Sequence, residues 1–202
     1  MPKIVNKLQK RQDIALSSTE LFCTKGFYNL TVGEVAKNAQ VAKGTIYEYF
    51  DSKEDIVFAI IEYAQVSYDN EVLKKIHKAT TIQNKVLALF DLCISTTPEG
   101  IKRRRIYKEF INICLNEASS EMILFQKKIK DKYIKWLEDI LQDGIDQKIL
   151  QPEAINFAKG LFAMAEGILL FAHIDKYFQA DILQEYITNL FDLIKIKGEK
   201  ND

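Results

Sequence analysis

The chain is predicted to be all-α, with about nine helices: a small three-helix head at the amino terminus and a larger helical body behind it. Three observations carry that reading. Turn formers are sparse, with 8 Gly and 3 Pro in 202 residues. Apolar residues recur at three- and four-residue spacing through most of the length, which is the period of a one-sided helix. No run of alternating β-branched residues is long enough to compete as a sheet. A hydrophobic content of 48% with 28% charged residues belongs to a globular chain and excludes a disordered or collagenous one.

Pro2 to Gln9 is a polar arm with Lys3 and Lys7, either disordered or reaching into a groove. The first helix is predicted from about Asn6 to Lys25. Ile14, Ser18, Leu21 and Phe22 fall on one face, and Gly26 is placed as its αL terminator. Phe27 and Leu30 should close a small core. Thr31 followed by Glu34 is a capping box, so a second helix starts there. Its apolar stripe is Val32, Val35, Ala36 and Ala39, on a segment too short to stand without packing. Val41 sits where a tight turn tucks one side chain inward. A further short helix follows from Lys43, with Ile46 and Phe50 facing back and Lys43, Thr45, Tyr47 and Tyr49 facing out. Two short helices around a tight turn, the second showing cationic, hydroxyl and phenolic groups, is the sequence form of a helix-turn-helix. The other reading of this spacing is an ordinary helical hairpin with a solvated polar face.

The flanking residues extend the pattern. Arg11, Ile14, Leu21, Phe22, Gly26 and Phe27, then Thr31, Val35, Ala36, Val41, Gly44, Thr45, Ile46, Tyr47, Tyr49, Phe50, Ser52, Lys53 and Glu54 resemble the amino-terminal signature of the TetR family of transcriptional regulators. The resemblance spans about fifty residues. It implies a DNA-binding domain over 1–52 and a ligand-binding and dimerisation domain over 53–202. It also implies phosphate and base-edge contacts from Lys43, Thr45, Tyr47 and Tyr49, close backbone approach at Gly44, and a phosphate clamp at Lys53. Thr31 and Ala42, at the starts of the two helices, complete the implied DNA-contact set. Two departures stand out. Ser17 and Ser18 lie where the family usually has alanine, and Ala42 replaces the usual Ser or Thr cap, giving up a bond worth about 1 kcal/mol. Glu48 either accepts from a cytosine N4 or sits at the rim.

Formal charge is balanced overall but not evenly. Residues 1–53 hold eight Lys and Arg against five Asp and Glu, leaving +3, and the remainder holds 20 against 23, leaving −3. A basic head on an acidic body points the head at a polyanion. The excess is small, so paired heads are needed to sum the phosphate contacts.

Ser52 caps the next helix, with Glu54 and Asp55 in its first turn, and the pattern continues to about Lys78. In the family such a connector carries the effect of ligand binding to the spacing of the heads. Thr80 or Thr81 caps a helix through Val86, Phe90 and Cys93, ended by a turn at Thr97 to Gly100. The stretch 101–116 opens with the cations Lys102, Arg103, Arg104 and Arg105, which either touch DNA or are solvated and paired. Ser119, Ser120 and Glu121 begin a long helix that stops near Gly144. Pro152 and Glu153 open another to about Phe171, and a last helix runs from Asp181 to about Ile196.

Phe90, Cys93, Tyr107, Phe110, Cys114, Phe125, Tyr133 and Trp136 either line an apolar cavity for a small organic effector or are plain core. The effector reading rests on the family. Glu166 either meets a cationic ligand or bonds at an interface. The resemblance implies a homodimer closed by the last two helices as a four-helix bundle, with Gly160, Ala163, Gly167, Leu183, Ile187, Leu190, Phe191 and Ile194 at the interface. A two-fold dimer suits a palindromic operator in double-stranded DNA. The implied regulator is most readily a repressor released by an apolar or amphipathic effector; an activator, or an adaptor of the same fold that has lost its operator, are the alternatives.

Catalysis finds no support. His77 and His173 are far apart, and there is no nucleophile elbow, Walker loop or dinucleotide glycine pattern, so no cofactor or metal is implied. Cys23, Cys93 and Cys114 form no Cys-x-x-Cys pair and fit a reducing cytosol, as small core residues or as a redox sensor. The polar, basic amino terminus reads as no secretory signal, and the longest apolar run reads as too short to cross a bilayer.

Overall fold

A computed structural model describes residues 6–116, 119–174 and 181–196. It divides into two compact units, one of residues 1–69 with 105–122 and the other of 70–104 with 123–202. Among the described residues there are eleven α-helices and no strand beyond an isolated bridge.

In the first unit, α1 (Lys7–Ser17) and α2 (Thr19–Asn29) replace the single first helix expected from the sequence. Asn6 caps α1, its side chain accepting from the Leu8 and Gln9 amides. The interruption follows from three adjacent hydroxyls. Ser17 and Ser18 both donate to the Ile14 carbonyl at 2.9 Å and Thr19 donates to Ala15, so side chains compete for the carbonyls that the helix ladder uses. Gly26 does end the regular helix with positive φ, but its ψ of 174° is not αL; a single turn, Phe27 to Asn29, follows. The short helices α3 (Val32–Asn38) and α4 (Lys43–Ile46) then pack on each other and α3 on α1. Ile14, Phe22, Phe27, Leu30, Val35, Ala36, Ile46 and Phe50 are buried together with Ile56, Val57 and Ile60 of α5 (Lys53–Lys78). Removal of Phe22 or Phe50 from water alone is worth roughly 2 to 3 kcal/mol each.

The second unit holds α6 (Ile82–Leu89), capped by Thr81, and α7 (Asp91–Ile94), divided at Phe90 where one helix was expected. The helix α8 (Pro98–Asn116) begins inside the stretch read as a turn: proline opens it and Thr97 Oγ1 accepts the Gly100 amide at 3.1 Å. Arg103 and Arg104 at its start are spent within this unit. Arg103 grips Glu71 with both nitrogens at 2.5 and 2.8 Å, and Arg104 donates to the carbonyls of Leu92 and Ser95. Next comes α9 (Ser120–Asp146), where the Ser119 hydroxyl accepts from Met122 and Asp143 pairs with Lys85 at 2.6 Å. A 3-10 turn (Pro152–Phe157) leads into α10 (Ala158–Ile174), which packs on α7, while α11 (Asp181–Ile194) packs on α6. Backbone bonds from Gln151 to Ile194 and from Ile196 to Ile149 tie the two ends of this segment.

By composition, the expectation that the longest apolar run is too short to cross a bilayer does not hold. Residues 152–172, with a mean hydropathy of 1.5, are long and apolar enough by composition to cross a membrane. The stretch is cut into a 3-10 turn and a 17-residue helix, about 26 Å against a hydrocarbon core of about 30 Å. Ala158, Leu161, Ala165, Ile168 and Leu169 of that helix are buried in the protein.

Candidate nucleic-acid interface

The capping box at α3 forms as its sequence dictates. Thr31 Oγ1 accepts the Glu34 amide at 3.3 Å, and the Glu34 carboxylate accepts both the Thr31 N–H at 3.1 Å and the Thr31 hydroxyl at 2.9 Å. Lys25 pairs with the same carboxylate, and its hydrogen bond, followed by that of Thr31, holds Glu34 below the usual glutamate range. The Thr31 hydroxyl is therefore already donating within the chain, and the residue itself is exposed.

The turn between α3 and α4 runs through Gln40 at φ 55°, a left-handed conformation in a residue with a Cβ. At α4, Ala42 provides no side-chain cap, and only Thr45 N–H closes on its carbonyl, at 3.0 Å. Ile46 and Phe50 anchor the back of the helix, both buried. Ala42, Lys43, Gly44, Tyr47 and Glu48 are exposed, and Thr45 and Tyr49 are half-buried. Tyr47 is 54% exposed despite its large ring. A Cβ on Gly44 would meet nothing within 4 Å, so nothing inside the chain requires glycine there. Of the implied DNA contacts, Ala42, Lys43, Gly44 and Tyr47 are thus exposed around α4, and Thr45 and Tyr49 are half-buried there.

Lys53, the implied phosphate clamp, has partners inside the head. Its ammonium donates to the Phe27 carbonyl at 3.1 Å and stands 4.4 Å from the centre of the Phe27 ring. Arg11, quoted in the signature but assigned no role, ties α1 to the start of α5 and to the segment after α4. It donates to both Asp55 oxygens at 2.6 and 3.1 Å and to the Tyr49 carbonyl at 2.7 Å, and lies 4.4 Å over the Phe50 ring. The Asp55 hydrogen bond raises the Arg11 pKa. Burial pushes Asp55 upward, yet the bonds from Arg11 and the Asp51 amide hold it net below the ordinary aspartate value.

The residues expected around an effector divide between the two units. Tyr107, Phe110 and Cys114 fall in the first; Phe90, Cys93, Phe125, Tyr133, Trp136 and Glu166 fall in the second. Phe90 and Cys93 are buried, and the Tyr133 and Trp136 rings lie 5.0 Å apart, tilted by 49°. Cys93 donates to the Ala165 carbonyl at 3.7 Å. Burial, then the Glu166 carboxylate, pushes its thiol up to about 12, so it stays protonated at neutral pH. Among the described residues no group of three or more His, Cys, Asp or Glu is placed to hold a metal.

Leu183, Ile187, Leu190, Phe191 and Ile194 are buried within the chain itself and offer no surface in this conformation. The exposed apolar positions on the same two helices are Leu170 and Phe171 of α10 and Ile182, Tyr186 and Leu193 of α11. Gly160 and Ala163 are exposed, and no atom lies within 4 Å of a Cβ built on Gly160 or Gly167.

With this geometry in place, comparison with known proteins is direct. A family model for bacterial regulatory proteins of the tetR family matches residues 16–60. The HTH-type transcriptional regulator HbdR of Aromatoleum sp. is 34% identical over 79 residues, which cover 39% of this chain and 34% of that protein. The HTH-type transcriptional regulator YuxN of Bacillus subtilis is 26% identical over 205 residues, covering 96% of this chain. The chain spans 66% of the length of YuxN. Among solved structures, a TetR-family transcriptional regulator from Cytophaga hutchinsonii superposes with a TM-score of 0.80 at 20% identity, covering 97% of this chain and all of that one.

Proposed function

We propose that this chain, a member of the TetR family of bacterial regulatory proteins, is a ligand-responsive repressor. It binds a palindromic operator as a homodimer and leaves it when a small apolar or amphipathic molecule binds the helical body. The observation that carries the reading is α4 itself: a four-residue helix that buries Ile46 behind it and turns Lys43 and Tyr47 outward, clamped by Arg11 through the Tyr49 carbonyl. A cation and a phenol on a braced helix start supply a phosphate contact and a base-edge or sugar contact. Residues 1–52 serve as the DNA-binding domain and 53–202 as the body.

The exposed apolar residues of α10 and α11, with the open glycine positions, support a homodimer built on those helices; two heads then double the modest +3 of each amino-terminal segment. Operator binding places the protein in the cytosol. The effector acts by preferring a body conformation in which the two heads no longer match the half-sites, which requires differential affinity for two states. A second reading, an adaptor of the same fold without an operator, draws on the uncapped start of α4 and on Glu48 beside it. Binding of a labelled duplex recovered from a random pool, measured across salt concentrations, separates the two. Lys43→Ala should lower the slope of log affinity against log salt by about 0.9 per chain. A shallow slope that Lys43→Ala leaves unchanged favours the adaptor.

A further inference from the structure

A side chain of α8 reaches the turn that precedes α3. Glu109 lies on α8, and its Oε2 accepts the Phe27 backbone N–H at 3.2 Å. On the other side of the same residue, Lys53 holds the Phe27 carbonyl and covers its ring. Phe27 is buried and follows Gly26, whose φ of 72° with ψ of 174° is essentially reserved to glycine. A Cβ on Gly26 would lie 2.8 Å from Glu109 Oε2, so the absent side chain also admits the carboxylate. The turn leading into α3 is thus fixed at its N–H by α8 and at its C=O by α5, immediately before Leu30 and the Thr31 cap set the direction of α3.

We infer that Glu109 is a positioning residue for the DNA-binding head: it holds the turn before α3 in the conformation that presents α3 and α4. The inference rests on the operator reading above. Its geometry separates it from a simple charge effect, because the carboxylate oxygen acts as an acceptor for a backbone donor. A glutamine keeps an acceptor oxygen and an alanine does not.

The test uses the full chain, as wild type, Glu109→Gln and Glu109→Ala, with amide hydrogen exchange at Phe27 and binding to a duplex recovered from a random pool by the wild type. In Glu109→Ala, Phe27 exchange should quicken at least about tenfold, the loss of one charge-assisted hydrogen bond. Duplex affinity should fall several-fold with the salt slope unchanged, since Glu109 touches no phosphate. Glu109→Gln should stay near wild type in both. Unchanged Phe27 exchange in Glu109→Ala overturns the inference, as does faster exchange with unaltered affinity, which would leave Glu109 purely structural. Equal gains in affinity for both variants overturn it too, marking Glu109 as no more than a repelling charge. A wild-type chain that binds no duplex sinks the operator reading and the positioning role with it, while the exchange result still reports whether the hydrogen bond forms.

Discussion

Arg11 and Asp55 offer a test of how the head is braced, because their side chains are only 23% and 26% exposed. Fully exposed pairs contribute about 0 to 1 kcal/mol, and removing one partner of a buried pair costs about 3 to 5 kcal/mol. A two-pronged contact at a quarter exposure should fall between, with a coupling energy of about 2 kcal/mol. Arg11→Ala also strands the Tyr49 carbonyl and removes the guanidinium from the Phe50 face, bringing its total cost to about 3 kcal/mol. The cycle of Arg11→Ala, Asp55→Ala and the double variant isolates the pair. Amide exchange of Ile56 and Val57, both fully buried in α5, reports head opening in the intact chain. A coupling of about 2 kcal/mol corresponds to roughly thirtyfold in exchange rate. Arg11→Lys keeps the charge but not the fork and should recover less than half of the loss. A coupling below about 0.5 kcal/mol, or a lysine variant indistinguishable from wild type, would refute the bracing role.

Other consequences are checked more simply. Gln40→Gly relieves a left-handed residue at the hairpin turn and should stabilise the head by about 0.5 to 1 kcal/mol, the αL penalty less the entropy of glycine; a loss of stability in the same exchange assay would contradict it. Asp55, Glu71 and Asp143 are all held below ordinary carboxylate values, the last two first by hydrogen bonds from Arg103 and Lys85. Their stabilising contributions are fully present above the unfolded value near 4 and are lost as pH falls through the lower folded values, because the unfolded chain binds more protons in that window. Circular dichroism against pH should show an acid limb that Asp55→Asn makes shallower. Under native conditions near pH 8, iodoacetamide should modify Cys23 and Cys114, both half-buried, ahead of Cys93, and labelling of Cys93 at the same rate would contradict its burial.

Local sequence signals made most of the helix starts legible. The Thr31 and Glu34 pair, Ser52, Thr81 and Ser119 all act as caps where hydroxyls at those spacings should, since a cap involves only residues two or three apart. The division of the first helix at Ser17 to Thr19 was also written locally, in three consecutive hydroxyls, but a tally of apolar spacing passes over it. Pro98 was read as a turn because proline ends helices as readily as it opens them, and only its position relative to Thr97 decides which. Arg11 and Lys53 were hidden for a different reason: their partners Asp55, Tyr49 and Phe27 are 26 to 44 residues away, and no periodicity encodes such pairs. The last helix shows the limit of pattern reading most clearly. Its strongest apolar repeat, Leu183, Ile187, Leu190, Phe191 and Ile194, is what the chain buries in itself, and the weaker repeat of Ile182, Tyr186 and Leu193 is what remains outside. A helix apolar on two faces does not announce which one its own chain will claim.

The proposed repressor requires that the face of Lys43 and Tyr47 read duplex DNA in two-fold symmetric register. It is tested most directly by selection from a random duplex pool with the purified chain at moderate salt, sequencing the survivors and repeating the selection with Tyr47→Ala. Wild type should recover a site with two inverted half-sites, and the variant should lose it. Failure to enrich any sequence at low salt, or recovery of the same site by Tyr47→Ala, would contradict it.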